Sequence, residues 1–468
     1  MKKARKPWRR KAAFAALIVA AAILAVLAYA SDAWSPGDED LWLVREPMPQ
    51  AENSFIVFQQ AIESLDWPEQ LLGNRIVAMT EGTEWDESFV KGFLERNEKA
   101  LALFDRGIEL PGFQSPVVLD ARADRCAEWF ELGMAVALRA VWHARHGRVK
   151  DAAADAMKLV DYGWRKEQCP SGLPDYFLGR MAQEKGLALL RQQAWADSLG
   201  PAELVALNGR LARFRDGDNG LAEAYRVEYM RTVAALEELK QGKTSIGALR
   251  SSDGIGTGTG ACAVKDSTPV RLMVWSPYHF QLNRTRQLMA RYYRPCLEGA
   301  NTYAACASRL KALGDDVDRF RVQVSIRRWG KYRRNVTGEI LCAMLAMPVG
   351  DFHRCRFKAS AHLSATRLVL ALHAYRVRNG QLPPSLEALV PDYIDAVPRD
   401  DLDGRPMRYQ RSQGVVYSVG SDLVDDGGNG TPSEEGAEPP DLVFPVDEPP
   451  APPQSHAPVD NAGSEGGE

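Results

Sequence analysis

Residues Ala12 to Ala30 read AAFAALIVAAAILAVLAYA, a run of nineteen without a charge. As a helix rising about 1.5 Å per residue it is about 28 Å long, enough to cross the hydrocarbon core of a bilayer. Lys2, Lys3, Arg5, Lys6, Arg9, Arg10 and Lys11 precede it with no acid among them. A positive flank of this kind stays in the cytoplasm, which directs everything after Ser31 to the outer side. Two readings follow. The run is a retained signal-anchor, or a cleaved signal peptide for which Ala28-Tyr29-Ala30 supplies the small-x-small site. Both export the body. The retained anchor is the leading reading, with the protein in a bacterial inner membrane, crossing it once and holding its body in the periplasm.

At 468 residues the chain is long enough for two or three folded units. Its 45% apolar and 25% charged residues exclude a collagen, a mostly unfolded chain and a polytopic membrane protein. The net charge of −3 hides an asymmetry, because the basic amino terminus faces an acidic carboxyl terminus, where residues 427–468 carry no Lys or Arg. The near-neutral span between them speaks against nucleic acid as a partner.

The pattern after the apolar run is mainly α. Residues 1–11 read as a cytoplasmic basic segment, 12–30 as the transmembrane helix, and 31–52 as a turn-rich tether that packs only locally. A helical domain is expected over 53–243. Its clearest unit is a hairpin, tetratricopeptide-like in part. Cys126, Phe130, Met134, Ala137, Val141 and Ala144 mark one helix face, Gly147 a stop, and Val149, Ala153, Ala156, Val160 and Trp164 the return. Further helices are expected at about 173–196, 201–214 and 219–241. Residues 244–269 form a Gly/Ser-rich linker. Its GIGTGTG stretch at 254–260 fits neither phosphate-loop spacing and is followed by no Lys-Ser/Thr pair. Residues 270–354 are a helical segment with helices at about 279–297 and 301–325. Between Arg319 and Arg334 basic residues interleave with Phe320, Trp329 and Tyr332, a pattern that suits a solvated helix face, anionic lipid or glycan better than a nucleic-acid strand.

Residues 355–428 read as a small α+β module, with a helix over about 357–379 and strands at 407–411 and 415–419 around a 412–414 turn. Residues 429–468, with nine prolines and nine acids, read as a disordered acidic tail.

Sites of chemistry are few. Seven cysteines without a C-x-x-C pair exclude a zinc ribbon and a thioredoxin-like motif, leaving either buried thiols or a disulfide such as Cys296 with Cys306. His143 and His146 are spaced to meet one metal, but no H-E-x-x-H frame surrounds them. His353 and Cys355 lack the third member of a nucleophile-base set. Ser308 and Lys311 match S-x-x-K without its companion motifs, and Asp315-Asp316 reads as solvated.

The segment ALHAYRVRNGQLPPSLEALVPDYIDAVPRDDLDGRPMRYQRSQGVVYSVGSDLVDDGG, from Ala371 to Gly428, resembles the globular part of the major, G-type pseudopilins of type II secretion. The resemblance rests on Tyr375, Gly380, Leu386 and Leu389, and on Pro398 with Asp400, Gly404, Pro406 and Tyr409 at matching spacing. Tyr417-Ser418-Val419-Gly420, Asp422 and the Asp425-Asp426-Gly-Gly ending complete it. It implies calcium in the loop after the final strand, held by Asp422, Asp425 and Asp426. In pseudopilins the hydrophobic helix directly precedes this module. Here it lies more than 300 residues upstream, so the module reads as one borrowed by a larger protein. As a whole the chain resembles bacterial membrane-anchored proteins with a helical body. The expected function is an extracytoplasmic interaction scaffold with a protein partner, possessing no motif for catalysis. The alternatives are an exported hydrolase with its site among the helices, and an accessory part of a type II secretion or pilus-like machine.

Overall fold

The computed structural model describes residues 7–68, 70–119, 126–195, 199–214, 219–245, 276–326, 334–345, 349–434 and 438–447. It is mainly helical, with a small three-stranded antiparallel sheet. The GIGTGTG stretch, and the 327–333 part of the basic, aromatic segment, lie outside the described residues.

Helix α1 spans Pro7–Ala30. The body begins with α2 (Ser54–Glu63), whose first turn is capped by the Asn53 side chain accepting the Phe55 amide at 3.1 Å. Helices α3 (Gln70–Glu81), α4 (Glu87–Arg96) and α5 (Glu98–Glu109) follow. Asp86 caps α4 in the same way, accepting the Phe89 amide at 3.0 Å. The hairpin expected from periodicity is α6 (Cys126–Arg145) and α7 (Val149–Gln168). Gly147 ends α6 at φ +72°, a conformation that costs a side-chain-bearing residue free energy.

Helix α8 (Leu173–Ala194) packs back on α7 more closely than the hairpin partners pack on each other. Glycines permit this. A Cβ on Gly163 would lie 2.4 Å from the Gly179 carbonyl oxygen, and one on Gly186 would lie 2.7 Å from that of Ala156. The backbones therefore meet where side chains would hold them apart. Helices α9 (Pro201–Leu211) and α10 (Asn219–Lys240) complete this layer. Next come α11 (Leu282–Leu297), α12 (Tyr303–Ile326) and α13 (Val336–Leu345).

Helix α14 (Val349–Asn379) starts earlier than the sequence pattern suggests and joins the body to the sheet. It packs on α8 and α9 along one side and on the sheet along the other. The sheet is β1 (Arg408–Gln410), β2 (Val415–Val419) and β3 (Asp441–Pro445), in the order β1-β2-β3. Tyr409 faces Val416 across the first pair, and Tyr417 faces Val443 across the second.

Two expectations are corrected. The 429–468 segment is not wholly an acidic tail without structure, since 441–445 is strand β3. Phe444 and Val446 are buried there, and pairing with β2 satisfies the backbone. Five residues of strand are too short to show against nine prolines in a composition count. The 31–52 segment does not pack only locally. Leu41 is buried among Tyr229, Tyr293 and Cys296, and Asp38 accepts from the Tyr229 hydroxyl and from Arg286 at 2.8 Å. Arg45 donates to Glu223 and to the carbonyls of Ser115 and Pro170. These partners lie at least 70 residues away along the chain, beyond any local pattern.

One core runs from α2 through α9 and on into Leu368, Leu372, Val416 and Phe444. Each such large apolar side chain contributes about 1.5–3 kcal/mol on burial. The sheet and the helical body thus share apolar packing across the boundary placed at residue 355.

Candidate functional site

Two features outside ordinary core packing remain: the junction of α1 with the body, and a cavity beside α7.

Phe14 and Leu17 on α1 are each 69% exposed, and Ile18, Val19, Ile23 and Leu24 are more than half exposed. Among the described residues no helix is long and apolar enough to cross a membrane. Positions 7–13 and 25–27 of α1 are not among those whose side chains are described. The end of α1 is tied to the body. Gln281 Nε2 donates to the Ala30 carbonyl at 2.8 Å and Arg334 Nη1 to the Tyr29 carbonyl at 3.1 Å. These are carbonyls that a helix end leaves without partners of its own. The Tyr29 and Tyr278 rings lie 5.9 Å apart, and the Arg334 guanidinium sits 4.7 Å from the Tyr29 ring centroid. Asp32 then caps α11, accepting the amides of Asn283 at 2.8 Å and Arg284 at 3.1 Å.

The cavity, of about 120 Å³, opens between α3, α6, α7 and α8. Trp129 and Tyr162 form its aromatic wall, with Met134, Leu159, Leu178 and Met181 around them. An apolar cavity of roughly 150 Å³ stays dry and accepts a small aromatic molecule, so this one is large enough only for a small apolar group. Lys166, fully buried, borders it. Its ammonium lies 3.9 Å from the Trp129 ring centroid and donates to Asp175, so the charge is matched on two sides. The Tyr162 hydroxyl donates to the Trp129 carbonyl at 2.9 Å, and burial raises its pKa well above the usual tyrosine value. On the next residue after Lys166, Glu167 faces Arg180 at 3.2 Å while its Oε1 has no hydrogen-bond partner. Burial pushes the Glu167 carboxyl up to about 7 against the opposing pull of Arg180. The arrangement can hold a small apolar guest; its cation and hydroxyl are already committed to protein partners.

Residues singled out from the sequence fall elsewhere. His146 places Nδ1 on the Trp142 carbonyl at 2.8 Å and Nε2 2.9 Å from Glu87, while His143 has Asp151 at 3.9 Å, so the pair faces different partners. The six described cysteines are free thiols, and Cys296 and Cys306 donate to carbonyls of their own helices. His353 Nε2 donates to the Cys296 carbonyl at 3.2 Å and its ring stacks on Tyr225, not on Cys355. Ser308, Lys311, Asp315 and Asp316 lie on α12, with Ser308 and Lys311 exposed.

In the 421–428 loop, Asp422 accepts the Val424 amide at 3.1 Å, and Asp425 accepts the Gly427 amide at 3.1 Å and Arg408 Nε at 2.9 Å. Asp426 is exposed. Among the described residues no group of three or more His, Cys, Asp or Glu side chains is placed to hold a metal ion. Arg408 instead gathers three carboxylates, those of Asp400, Asp403 and Asp425.

Lys166 and Glu167 escaped the sequence reading because α7 is buried on most of its circumference, which erases the polar face that would set them apart, and Asp175, the partner of Lys166, lies on the next helix. Trp34 also escaped it, although the sequence carried a signal: Tyr29 and Trp34 flank the outer end of an apolar run, where aromatic belts occur. No protein-family model, curated protein or solved structure matches the chain.

Proposed function

We propose that this chain is a membrane-anchored, extracytoplasmic interaction scaffold of the bacterial inner membrane. The observation that carries the reading is α1, whose apolar side chains stand exposed to solvent on a helix fixed at its end to the body. Exposed apolar side chains over several successive turns are unfavourable in water and are matched by hydrocarbon. The seven positive charges before Ala12 set the orientation, with the body outside. The integrated 31–52 segment supports a scaffold held at a fixed distance from the bilayer rather than a module on a free leash. A phosphatase reporter fused after Pro36 tests this. It should be active only outside the cytoplasm, and the full chain should stay in the membrane pellet through a carbonate wash. An inactive fusion, or complete release by carbonate, overturns the anchor.

The pseudopilin-like reading of the carboxyl-terminal part is supported by the α14-β1-β2 order and by the buried Asp400 among the matched positions. An accessory role beside a secretion machine is the partner this favours. Chemical cross-linking in native membranes, followed by purification through a tag on the chain, should recover secretion-apparatus subunits; recovery of the chain alone removes that partner class. Calcium at Asp422, Asp425 and Asp426 belongs to the same reading, opposed by the ion pair between Asp425 and Arg408.

A further inference from the structure

We propose that the base of α1 is a binding surface for anionic phospholipid headgroups, with Trp34 as the interfacial side chain and Arg334 as the phosphate contact. This rests on the reading of α1 as a membrane-spanning helix.

The junction leaves little slack. Ser31 Oγ donates to the Ala28 carbonyl at 2.7 Å, and Asp32 caps α11. Asn283 Nδ2 donates to the Ala33 carbonyl at 2.7 Å, and Gln287 Nε2 to the Ser35 carbonyl at 2.9 Å. Every residue from Tyr29 to Asp32, with Ala33 and Ser35, is thus bonded or stacked against the body or α1. A helix that spans the bilayer and ends at Ala30 therefore brings the amino-terminal end of α11 to the membrane surface, within about one helical turn of the headgroups.

Trp34 sits on this held backbone with its indole fully exposed. The residues on both sides are fastened to α11, so the backbone is held while the ring is left uncovered. An indole in this position buries its apolar face and keeps its N–H wet only at an interface, and the headgroup region offers both.

The local charge favours an anionic surface. Arg334 spends one nitrogen on the Tyr29 carbonyl and stacks on the ring, and its fork carries further donors at the same end of α1. Arg284 lies in the first turn of α11. Lys240 is close enough to Asp32 to feel its charge. Asp32, the acid at this junction, is neutralised by two backbone amides at a helix N-terminus. Guanidinium forks match phosphate oxygens in geometry as well as charge.

The test uses the full chain reconstituted in vesicles of phosphatidylcholine, alone or mixed with phosphatidylglycerol. Lipid brominated near the headgroup should quench a larger fraction of the emission of the native protein than of Trp34→Phe, the contribution of Trp8 at the other end of α1 being common to both. Hydrogen exchange of peptides covering 276–290 should slow when phosphatidylglycerol is present. Arg334→Gln should reduce that slowing by about fivefold, the effect of one surface cation. Trp34 touches no body residue by its ring, so its variant keeps the proposal testable if Arg334→Gln loosens the junction. Equal quenching in native and Trp34→Phe, together with exchange indifferent to phosphatidylglycerol, overturns the proposal while carbonate-resistant insertion still stands. Loss of insertion itself overturns the anchor instead.

Discussion

Asp441 holds the Gly428 amide at 2.8 Å, joining the first residue of β3 to the end of the loop that leaves β2. The same carboxylate accepts the Asn429 amide at 3.2 Å, and the residue has no exposed surface. A segment that looks like the start of an acidic tail is therefore the clasp of the sheet. Truncating the chain after Glu434 should expose Val416 and destabilise the carboxyl-terminal part. Asp441→Ala should cost about 1.5–3 kcal/mol, the range for a buried charged hydrogen bond whose partners are stranded. Urea unfolding of the full chain measures it, and an unchanged midpoint in both variants refutes the clasp.

The guanidinium of Arg408 pairs with Asp400, Asp403 and Asp425, each through a different nitrogen. Calcium in this region must compete with it for Asp425. Calcium is expected to raise the melting temperature of Arg408→Ala more than that of the native chain, because the variant removes the cation that now pairs with all three carboxylates. Melting with calcium and with chelator decides this. A larger calcium response in the native chain, abolished by Asp422→Ala with Asp425→Ala, would instead restore the loop site implied by the pseudopilin resemblance.

The approach of α7 and α8 depends on the absence of a side chain at Gly163. A methyl group there would meet the Gly179 carbonyl oxygen at 2.4 Å and the Gln183 nitrogen at 2.5 Å, backbone atoms that cannot turn aside. Gly163→Ala would gain helix propensity, worth roughly 1 kcal/mol, but overpacking costs about 1–3 kcal/mol and wins in so tight a contact. Gly209, where an added methyl group would have nothing within 4 Å, is the control, and Gly209→Ala should be neutral or stabilising. Thermal unfolding of both variants checks the pair; Gly163→Ala as stable as the native chain would mean the helices can move apart freely.

What could be read from the sequence was local. The α6–α7 hairpin followed from apolar spacing and Gly147, and α14 and the β1–β2 hairpin turn where Gly380 and Gly414 take positive φ. What could not be read was long-range. Nothing near Asp38 names Tyr229, nothing near Arg45 names Glu223, and the five residues of β3 need β2 before they are a strand at all. The same limit applied to Lys166 and Glu167, whose partners Asp175 and Arg180 lie on a neighbouring helix.

Those buried groups give the protein opposing pH responses in one window. Burial pushes Glu167 up to about 7 from an ordinary value of 4.5, so the folded state holds its proton longer than the unfolded state does. Its contribution is fully present below about 4.5 and is lost as pH rises toward 7. His353 goes the other way. Burial lowers it from 6.5 to about 4, the bond to the Cys296 carbonyl resisting, so its contribution is present above 6.5 and is lost as pH falls toward 4. His362, lowered to about 3 mainly by burial and further by Arg191 and Lys358, adds in the direction of His353. Between about pH 5 and 6.5 the glutamate and the two histidines offset one another. Glu167→Gln should uncover the histidines, so that stability climbs more steeply with pH, by up to about 1.4 kcal/mol per pH unit for each proton no longer offset. His353→Phe, which keeps a ring against Tyr225, should shift the slope the opposite way. Urea midpoints at about pH 5, 6 and 7 for the native chain and both variants measure the slopes. If both variants change the slope in the same direction, the assignment of opposite protonation to these two buried groups is wrong.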